Sequence, residues 1–196
     1  MDCVRNCPVL LNADQQFSES ITFHTGCKYS KCLASLAMQM RLQTEQAYDE
    51  RTDERADGEL KQILIGFHQY TTLTVRLSNQ GEQAYSAHLE LRLQPALQIK
   101  RIESRCRSKS QFLGGENRSS HEANYLEIIC NLGNPFERSA LDLQFVFDLF
   151  STDYSDAKRL TINGSLHTSS ALAAGSQVNQ TLVVGLRRQV GVALKE

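Results

Sequence analysis

Residues 77–93 read LSNQGEQAYSAHLELRL, in which a short polar turn separates two runs of leucine alternating with polar residues. A β-strand points successive side chains to opposite faces, so each run would place its leucines on one buried face. The turn, NQGE at residues 79–82, is rich in the residue types that end strands. The segment therefore predicts two strands joined by a turn.

The same period of two recurs along most of the chain. The alternating apolar rows are Leu36, Met38, Met40 and Leu42; Leu73, Val75 and Leu77; Leu89, Leu91 and Leu93; Leu141, Leu143, Phe145, Phe147 and Leu149; and Val190, Val192 and Leu194. Shorter candidates lie at residues 63–65, 97–99, 126–128 and 160–162. No segment has the spacing of an amphipathic helix. Roughly eight strands with short turns predict an all-β fold, an antiparallel β-sandwich.

Composition limits the classes of function. The chain has 196 residues, a formal net charge of −1 and 41% hydrophobic residues, which is typical of an ordinary folded domain. The charge gives no reason to expect a nucleic acid or an anionic membrane as partner. No apolar run is long enough for a membrane helix, and the first residues, MDCVRNCPVL, lack the features of a secretion signal.

The six cysteines leave two interpretations open. They form three local groups: Cys3 with Cys7, Cys27 with Cys32, and Cys106 with Cys130. An even number at short spacings favours disulfides. Two close pairs could instead hold zinc, but the histidines that might complete such a site, His24, His68, His88, His121 and His167, are scattered and form no sequence pair.

Three N-x-[ST] sequons favour the disulfide interpretation, since they matter only in the secretory pathway. They begin at Asn117, Asn163 and Asn179. We therefore expect an extracellular protein whose secretion signal is not within this sequence.

Two polar segments interrupt the alternation. Residues 43–59 are crowded with charge, and residues 108–122 are rich in Ser, Gly and Asn, so both are predicted to be solvated loops. A bridge between Cys106 and Cys130 would close the second segment, which in the chain-entropy model stabilises a fold by roughly 3–4 kcal/mol.

The sequence lacks the recognisable patterns of an enzyme. It has no G-x-S-x-G nucleophile elbow and no phosphate-binding glycine loop. Asp153 and Asp156 are interpreted as turn residues, and nothing assembles a nucleophile, a base and an oxyanion donor.

Two motifs resemble the calf-1 domain of integrin alpha subunits. The pattern N-x-G-E-x-A-Y, placed at a hairpin, and the pattern C-x-L-G-N-P occur in the order and spacing of that domain. The matching residues are Asn79, Gly81, Glu82, Ala84 and Tyr85 in the first motif, and Cys130, Leu132, Gly133, Asn134 and Pro135 in the second. The resemblance implies an immunoglobulin-like sandwich in which Cys106 is the partner of Cys130.

The resemblance also divides the chain. Residues 1–26 look like the end of the preceding thigh domain, residues 27–32 like the disulfide loop of the knee, or genu, and residues 33–196 like calf-1. Cys3 and Cys7 would pair with each other or with cysteines outside this sequence. In the family, acidic residues of the knee loop bind calcium together with the motif glutamate. Here the loop carries two lysines and no acid, so Glu82 alone remains and we expect no tight calcium site.

The implied function is mechanical. The chain would be part of the extracellular leg of a cell-adhesion receptor, without cofactor or enzymatic activity, flanked by the thigh and calf-2 domains and associated with an integrin beta subunit. We hypothesise that the Cys27–Cys32 bridge keeps the knee compact and that Tyr85 packs the hairpin against it. The alternatives are a secreted β-sandwich binding module, a truncated gene product without receptor function, and a cytosolic zinc-stabilised β-domain.

Overall fold

A computed structural model describes residues 26–28, 30–44, 62–65, 68–111, 125–137, 139–149 and 157–188. These residues form twelve strands in three sheets. The strands are β1 (Leu33–Ala34), β2 (Leu36–Thr44), β3 (Gln62–Ile65), β4 (Tyr70–Asn79), β5 (Ala87–Gln94), β6 (Gln98–Arg101), β7 (Cys106–Gln111), β8 (Tyr125–Gly133), β9 (Leu141–Asp148), β10 (Arg159–His167), β11 (Ala171–Leu172) and β12 (Asn179–Arg188).

Two larger sheets make the sandwich. One has six strands in the order β3-β12-β10-β5-β8-β7, and the other has four in the order β2-β4-β9-β6. Neighbouring strands in both sheets are antiparallel except β12 and β3, which run parallel. A third, two-stranded sheet pairs β1 with β11 in parallel. The prediction of an all-β antiparallel sandwich is therefore confirmed.

The inward rows of both sheets form one apolar core. Four of the predicted alternating rows lie in β2, β4, β5 and β9 and are buried on alternate positions, as their burial patterns show. The sheets meet closely where β10 faces β2: a Cβ built on Gly164 would lie 3.0 Å from the sulfur atoms of both Met38 and Met40. A larger residue in the middle of the sequon at Asn163 would require these two methionine side chains to shift.

The predicted hairpin is wrong. The strands that flank the turn, β4 and β5, belong to different sheets, so the chain crosses from one layer to the other between them. Alternation alone could not reveal this, because leucines on either layer face the same core. The residues of the turn therefore lie at the end of the sandwich, where the chain passes between its layers.

Other expectations also need revision. The estimate of eight strands is too low for the described residues, partly because two-residue strands such as β1 and β11 carry no periodic signal. Residues 108–111, the first four of the predicted polar loop 108–122, belong to β7. This strand lies at the edge of the described six-stranded sheet, where polar side chains are tolerated. Likewise, residues 43–44 complete β2.

Several predicted features fall outside the described residues. They are residues 1–25 with Cys3 and Cys7, most of the charged segment 43–59, the sequon at Asn117, the aspartates Asp153 and Asp156, and the final row Val190, Val192 and Leu194. In the part of the chain that is described, no helix has the length and apolar character needed to cross a membrane.

Candidate functional site: the junction between the disulfide loop and the sandwich

The first motif lies against the segment that enters the sandwich. Residues 27–32, here called the disulfide loop, are closed by a bridge between Cys27 and Cys32 and lead directly into β1. The crossover between β4 and β5, residues 79–86, is called the motif turn and contacts both the loop and β1. The loop and the motif turn together form the junction.

Asn79 links the motif turn to two other segments. Its side chain is buried, with 5% of its surface exposed. Its Oδ1 accepts hydrogen bonds from the backbone N–H of Gly81, at 3.0 Å, and of Ser35, at 3.1 Å. Its Nδ2 donates to the carbonyls of Glu82, at 2.8 Å, and Phe136, at 2.9 Å. One amide therefore satisfies four backbone groups, of which the Phe136 carbonyl is buried.

Gly81 is required by a close approach of backbone to backbone. A Cβ at this position would lie 2.4 Å from the nitrogen of Ser35 and 2.6 Å from the carbonyl oxygen of Leu33. Both distances are far below van der Waals contact, and neither atom belongs to a side chain that could rotate away. Glycine is required at position 81 because the motif turn touches the backbone of β1 and of the residue that follows it.

Glu82 holds the disulfide loop to the sandwich. One carboxylate oxygen accepts from the N–H of Lys28 at 3.0 Å, and the other accepts from the N–H of Leu33 at 2.8 Å. The backbone N–H of Glu82 donates to the carbonyl of Leu33 at 2.9 Å. The hydrogen bond from Leu33, followed by that from Lys28, lowers the pKa of the Glu82 carboxyl, and the Lys28 charge adds to this effect. The charged form of Glu82 is therefore the form that anchors the loop.

The second motif and the residue that follows it contact the motif turn. Ala84 and Phe136 exchange two backbone hydrogen bonds, at 3.2 and 2.8 Å, and the Phe136 side chain is buried. The side chain of Asn134 accepts from the backbone N–H of Ser86 at 3.0 Å. Gly133, with φ of 113°, has a conformation that other residues rarely adopt. The two motifs, which are distant in sequence, thus form one packed corner.

Tyr85 is joined to the segment before β11. Its carbonyl accepts from the hydroxyl of Thr168 at 2.8 Å and from the N–H of Ser169 at 2.9 Å. Its N–H donates to the hydroxyl of Ser170 at 3.0 Å, and its own hydroxyl bonds Gln83. Among the described residues, Glu82 accepts a hydrogen bond from Lys28 of the disulfide loop, and this contact was not anticipated from the sequence.

The second disulfide links neighbouring strands. Cys106 on β7 and Cys130 on β8 are directly opposite in the ladder and are bonded, the pair that the resemblance implies. Both side chains are buried. The bridge therefore joins the edge strand β7 covalently to β8 in the six-stranded sheet. Residues 112–124 lie between these two strands in the sequence.

Two sequons lie on exposed strand positions. Asn163 is on β10 and Asn179 begins β12, and both are exposed. The Asn163 Oδ1 accepts a hydrogen bond from the hydroxyl of Thr181 at 2.8 Å, while a glycan would attach to its Nδ2. Asn179 also lines an open groove of about 840 Å³ at the side of the sandwich.

The junction also brings together side chains with metal-ligating atoms. Among the described residues, the sulfurs of Cys27 and Cys32 and a Glu82 oxygen lie within 4.8 Å of one another. Both sulfurs are committed to the disulfide, so they are not available as thiolate ligands. Calcium prefers six to eight oxygen ligands, and this group offers one carboxylate.

Sequence reasoning missed the partners of the motif residues. Ser35, Phe136 and Ser170 complete the hydrogen bonding of the junction, but each is far from the motif turn in sequence. Nothing in their local sequence marks them as partners of the motif turn. Only the fold brings them together.

Comparison with known protein families found one family model that matches the part of the sequence containing these features. The model for the integrin alpha Ig-like domain 2 matches residues 27–184. No curated protein matches the sequence significantly. Among solved structures, a cohesin module from a family 33 glycoside hydrolase of Clostridium perfringens ATCC13124 is similar, with 10% identity and a TM-score of 0.36; the match covers 78% of this chain and 98% of that one. The family match begins at the disulfide loop and includes both motifs.

Proposed function

The chain belongs to the integrin alpha Ig-like domain 2 family, and we propose that it is a segment of the extracellular leg of an integrin alpha subunit. In this proposal residues 27–32 are the knee loop, residues 33–196 are the calf-1 sandwich, and residues 1–26 are the end of the thigh domain. The segment has no chemistry of its own. It works as a strut with an anchored pivot, and its partners are an integrin beta subunit and the adjoining thigh and calf-2 domains.

The contact between Glu82 and the disulfide loop carries the proposal. A pivot at the end of a strut must transmit force to the sandwich, so its last residues must be fixed to the body of the domain. Glu82 supplies that attachment through the backbone of Lys28 and Leu33, and Asn79 continues it to Phe136. The bonded groups are backbone N–H groups, and the Lys28 charge adds to them by favouring the charged form of Glu82.

The experiment is a measurement of the bent–extended balance of the receptor that contains this chain. The variants are Glu82→Ala and the pair Cys27→Ser with Cys32→Ser, and exposed Glu137→Ala is the matched control. We expect both junction variants to shift the balance towards extended molecules, measured by electron microscopy of single particles, while the control does not. A balance unchanged by the disulfide pair and by Glu82→Ala would refute a pivot at this junction.

Co-expression with integrin beta subunits tests the partner. We expect the full alpha chain to reach the cell surface as a heterodimer. Secretion of the chain alone, with no beta subunit associated, would instead favour the alternative of a separate binding module.

Glycosylation tests the extracellular location. We expect Asn179 and Asn163, both exposed, to carry glycans that peptide-N-glycosidase releases from protein made in mammalian cells. Mass spectrometry would show the resulting Asn-to-Asp change at each occupied site. Unmodified asparagine at these two positions and at Asn117 would remove the support that the sequons give to an extracellular location.

A further inference from the structure

Two histidines far apart in sequence face each other on the outer surface of the six-stranded sheet. His88 on β5 and His167 on β10 are directly opposite in the ladder. Their rings stack with centroids 4.8 Å apart and an angle of 17° between their planes. The sequence offered no histidine pair, so this juxtaposition is a product of the fold.

The hydrogen bond of His88 defines the chemistry of its ring. Nδ1 lies 3.3 Å from the carbonyl oxygen of Ser86, an acceptor that cannot donate a proton. When Nδ1 donates to this carbonyl, the lone pair of the neutral ring is on Nε2. A backbone carbonyl on one ring nitrogen is the usual outer partner of a histidine whose other nitrogen binds a metal ion.

A carboxylate completes the cluster. Glu90, two residues after His88 on the same face of β5, places Oε2 3.5 Å from Nε2 of His167. The side chains of His167 and Glu90 are 48% and 38% exposed, so they can rotate without displacing core residues. The ladder partner of Glu90 on β10 is Ser165, and that of His88 on β8 is Asn131; both are uncharged.

We propose that His88, His167 and Glu90 form a surface site for a divalent transition-metal ion, with zinc as the best fit. Zinc takes imidazole nitrogen and carboxylate oxygen, and its fourth position would be filled by water. Directly opposite residues of an antiparallel pair have their Cβ atoms about 5 Å apart, which is short enough for two imidazoles to share one ion. In the structure the rings are stacked, so metal binding would require both side chains to turn until their nitrogens converge on one point.

Bound metal would cross-link β5 to β10 at the end of the sheet nearest the motif turn. Because neutral imidazole is the ligand, protons compete with the ion and acid weakens binding. The three proposed ligands lie outside the junction, so the metal site can fail without affecting the proposed receptor role, although the Ser86 carbonyl beside His88 belongs to the motif turn.

Calorimetric titration of the full, oxidised chain with zinc chloride tests the proposal. We expect one equivalent to bind, and we expect His167→Ala or His88→Ala to weaken binding by more than about tenfold, the lower end of what loss of an outer partner costs. Glu90→Gln should weaken it less than either. His121→Ala keeps the same number of histidines as the single variants and should bind like the parent. Reductant is omitted because free thiolates would bind zinc themselves.

Unchanged zinc affinity in the variant that combines His88→Ala with His167→Ala would overturn the proposal, as would the absence of saturable binding to the parent protein. Circular dichroism of each variant checks that the fold persists. A measurement on the unaltered protein guards against misfolded variants: the side-chain nitrogen resonances of His88 and His167 should shift together on adding zinc. Shifts confined to other histidines would equally refute the site.

Discussion

Gly81 sits at the closest approach between the motif turn and the strand that follows the disulfide loop. Its missing Cβ would fall 2.4 and 2.6 Å from backbone atoms of Ser35 and Leu33. Room for a methyl group can come only from moving β1 or the turn, which would also stretch the hydrogen bonds made by Asn79.

We expect Gly81→Ala to destabilise the fold by about 1–3 kcal/mol, the usual cost of inserting a carbon atom into closely packed structure. The midpoint of urea unfolding under non-reducing conditions measures it. Exposed Gln80→Ala, in the same turn, is the control and should change stability by less than about 0.5 kcal/mol. Equal midpoints for the two variants would show that the close approach is not maintained in solution.

Glu82 gives the junction a dependence on pH. Since hydrogen bonds from Leu33 and Lys28 lower the pKa of this carboxyl in the folded protein, its stabilising contribution is present at neutral pH. The contribution is lost as pH falls through the lowered pKa, below the ordinary glutamate value of about 4.3.

The measurement is hydrogen-exchange protection of the Lys28 and Leu33 amides, after correction for the intrinsic effect of pH. Both amides should lose protection in the parent protein as the pH falls through that range. In Glu82→Gln they should be less protected already at pH 7, and nearly independent of pH. Protection that is equal in the two proteins at pH 7 would disprove anchoring by the charged carboxylate.

At the scale of strands, the period of two in the sequence identified the buried face of each strand but not which strands pair with one another. The rows in β4 and β9 are buried as the sequence predicts, because alternation depends only on which side of a strand faces the core. The sequence could not show that β4 and β5 lie in different sheets, since both deliver leucines to one core. It also could not show that β7 is a strand, because an edge position accepts the polar residues of 106–111. The same limit applies to the junction, where the family motif marked Glu82 but not its backbone partners.

The two described disulfides should contribute unequally to stability. Cys106 and Cys130 are separated by 24 residues, and Cys27 and Cys32 by 5. In the chain-entropy model the stabilisation grows with the length of the closed loop, to about 3.5 kcal/mol for the first bridge and about 2 kcal/mol for the second.

Replacing each pair with serine tests this order. Urea unfolding of the two double variants should show the larger loss for Cys106→Ser with Cys130→Ser, and burial of the new hydroxyls would enlarge it further. A larger loss from the Cys27 and Cys32 pair would mean that the disulfide loop stabilises the native state by more than loop closure, through its contact with Glu82.

At the scale of the whole molecule, the two large sheets share one core and should unfold together. Buried residues of both sheets belong to a single apolar cluster, and Phe145 on β9 is completely buried within it. Phe145→Ala should therefore cost about 3–5 kcal/mol and should lower the hydrogen-exchange protection of β5 and β10, in the opposite sheet, as much as that of β4. The control is Gln144→Ala, on the exposed side of the same strand.

A stiff strut requires one cooperative unfolding transition. A sheet that opened alone would deform when the knee bends and would not transmit the force to the rest of the domain. Two separate transitions, or loss of protection confined to β2, β4, β6 and β9, would show that the layers are mechanically independent.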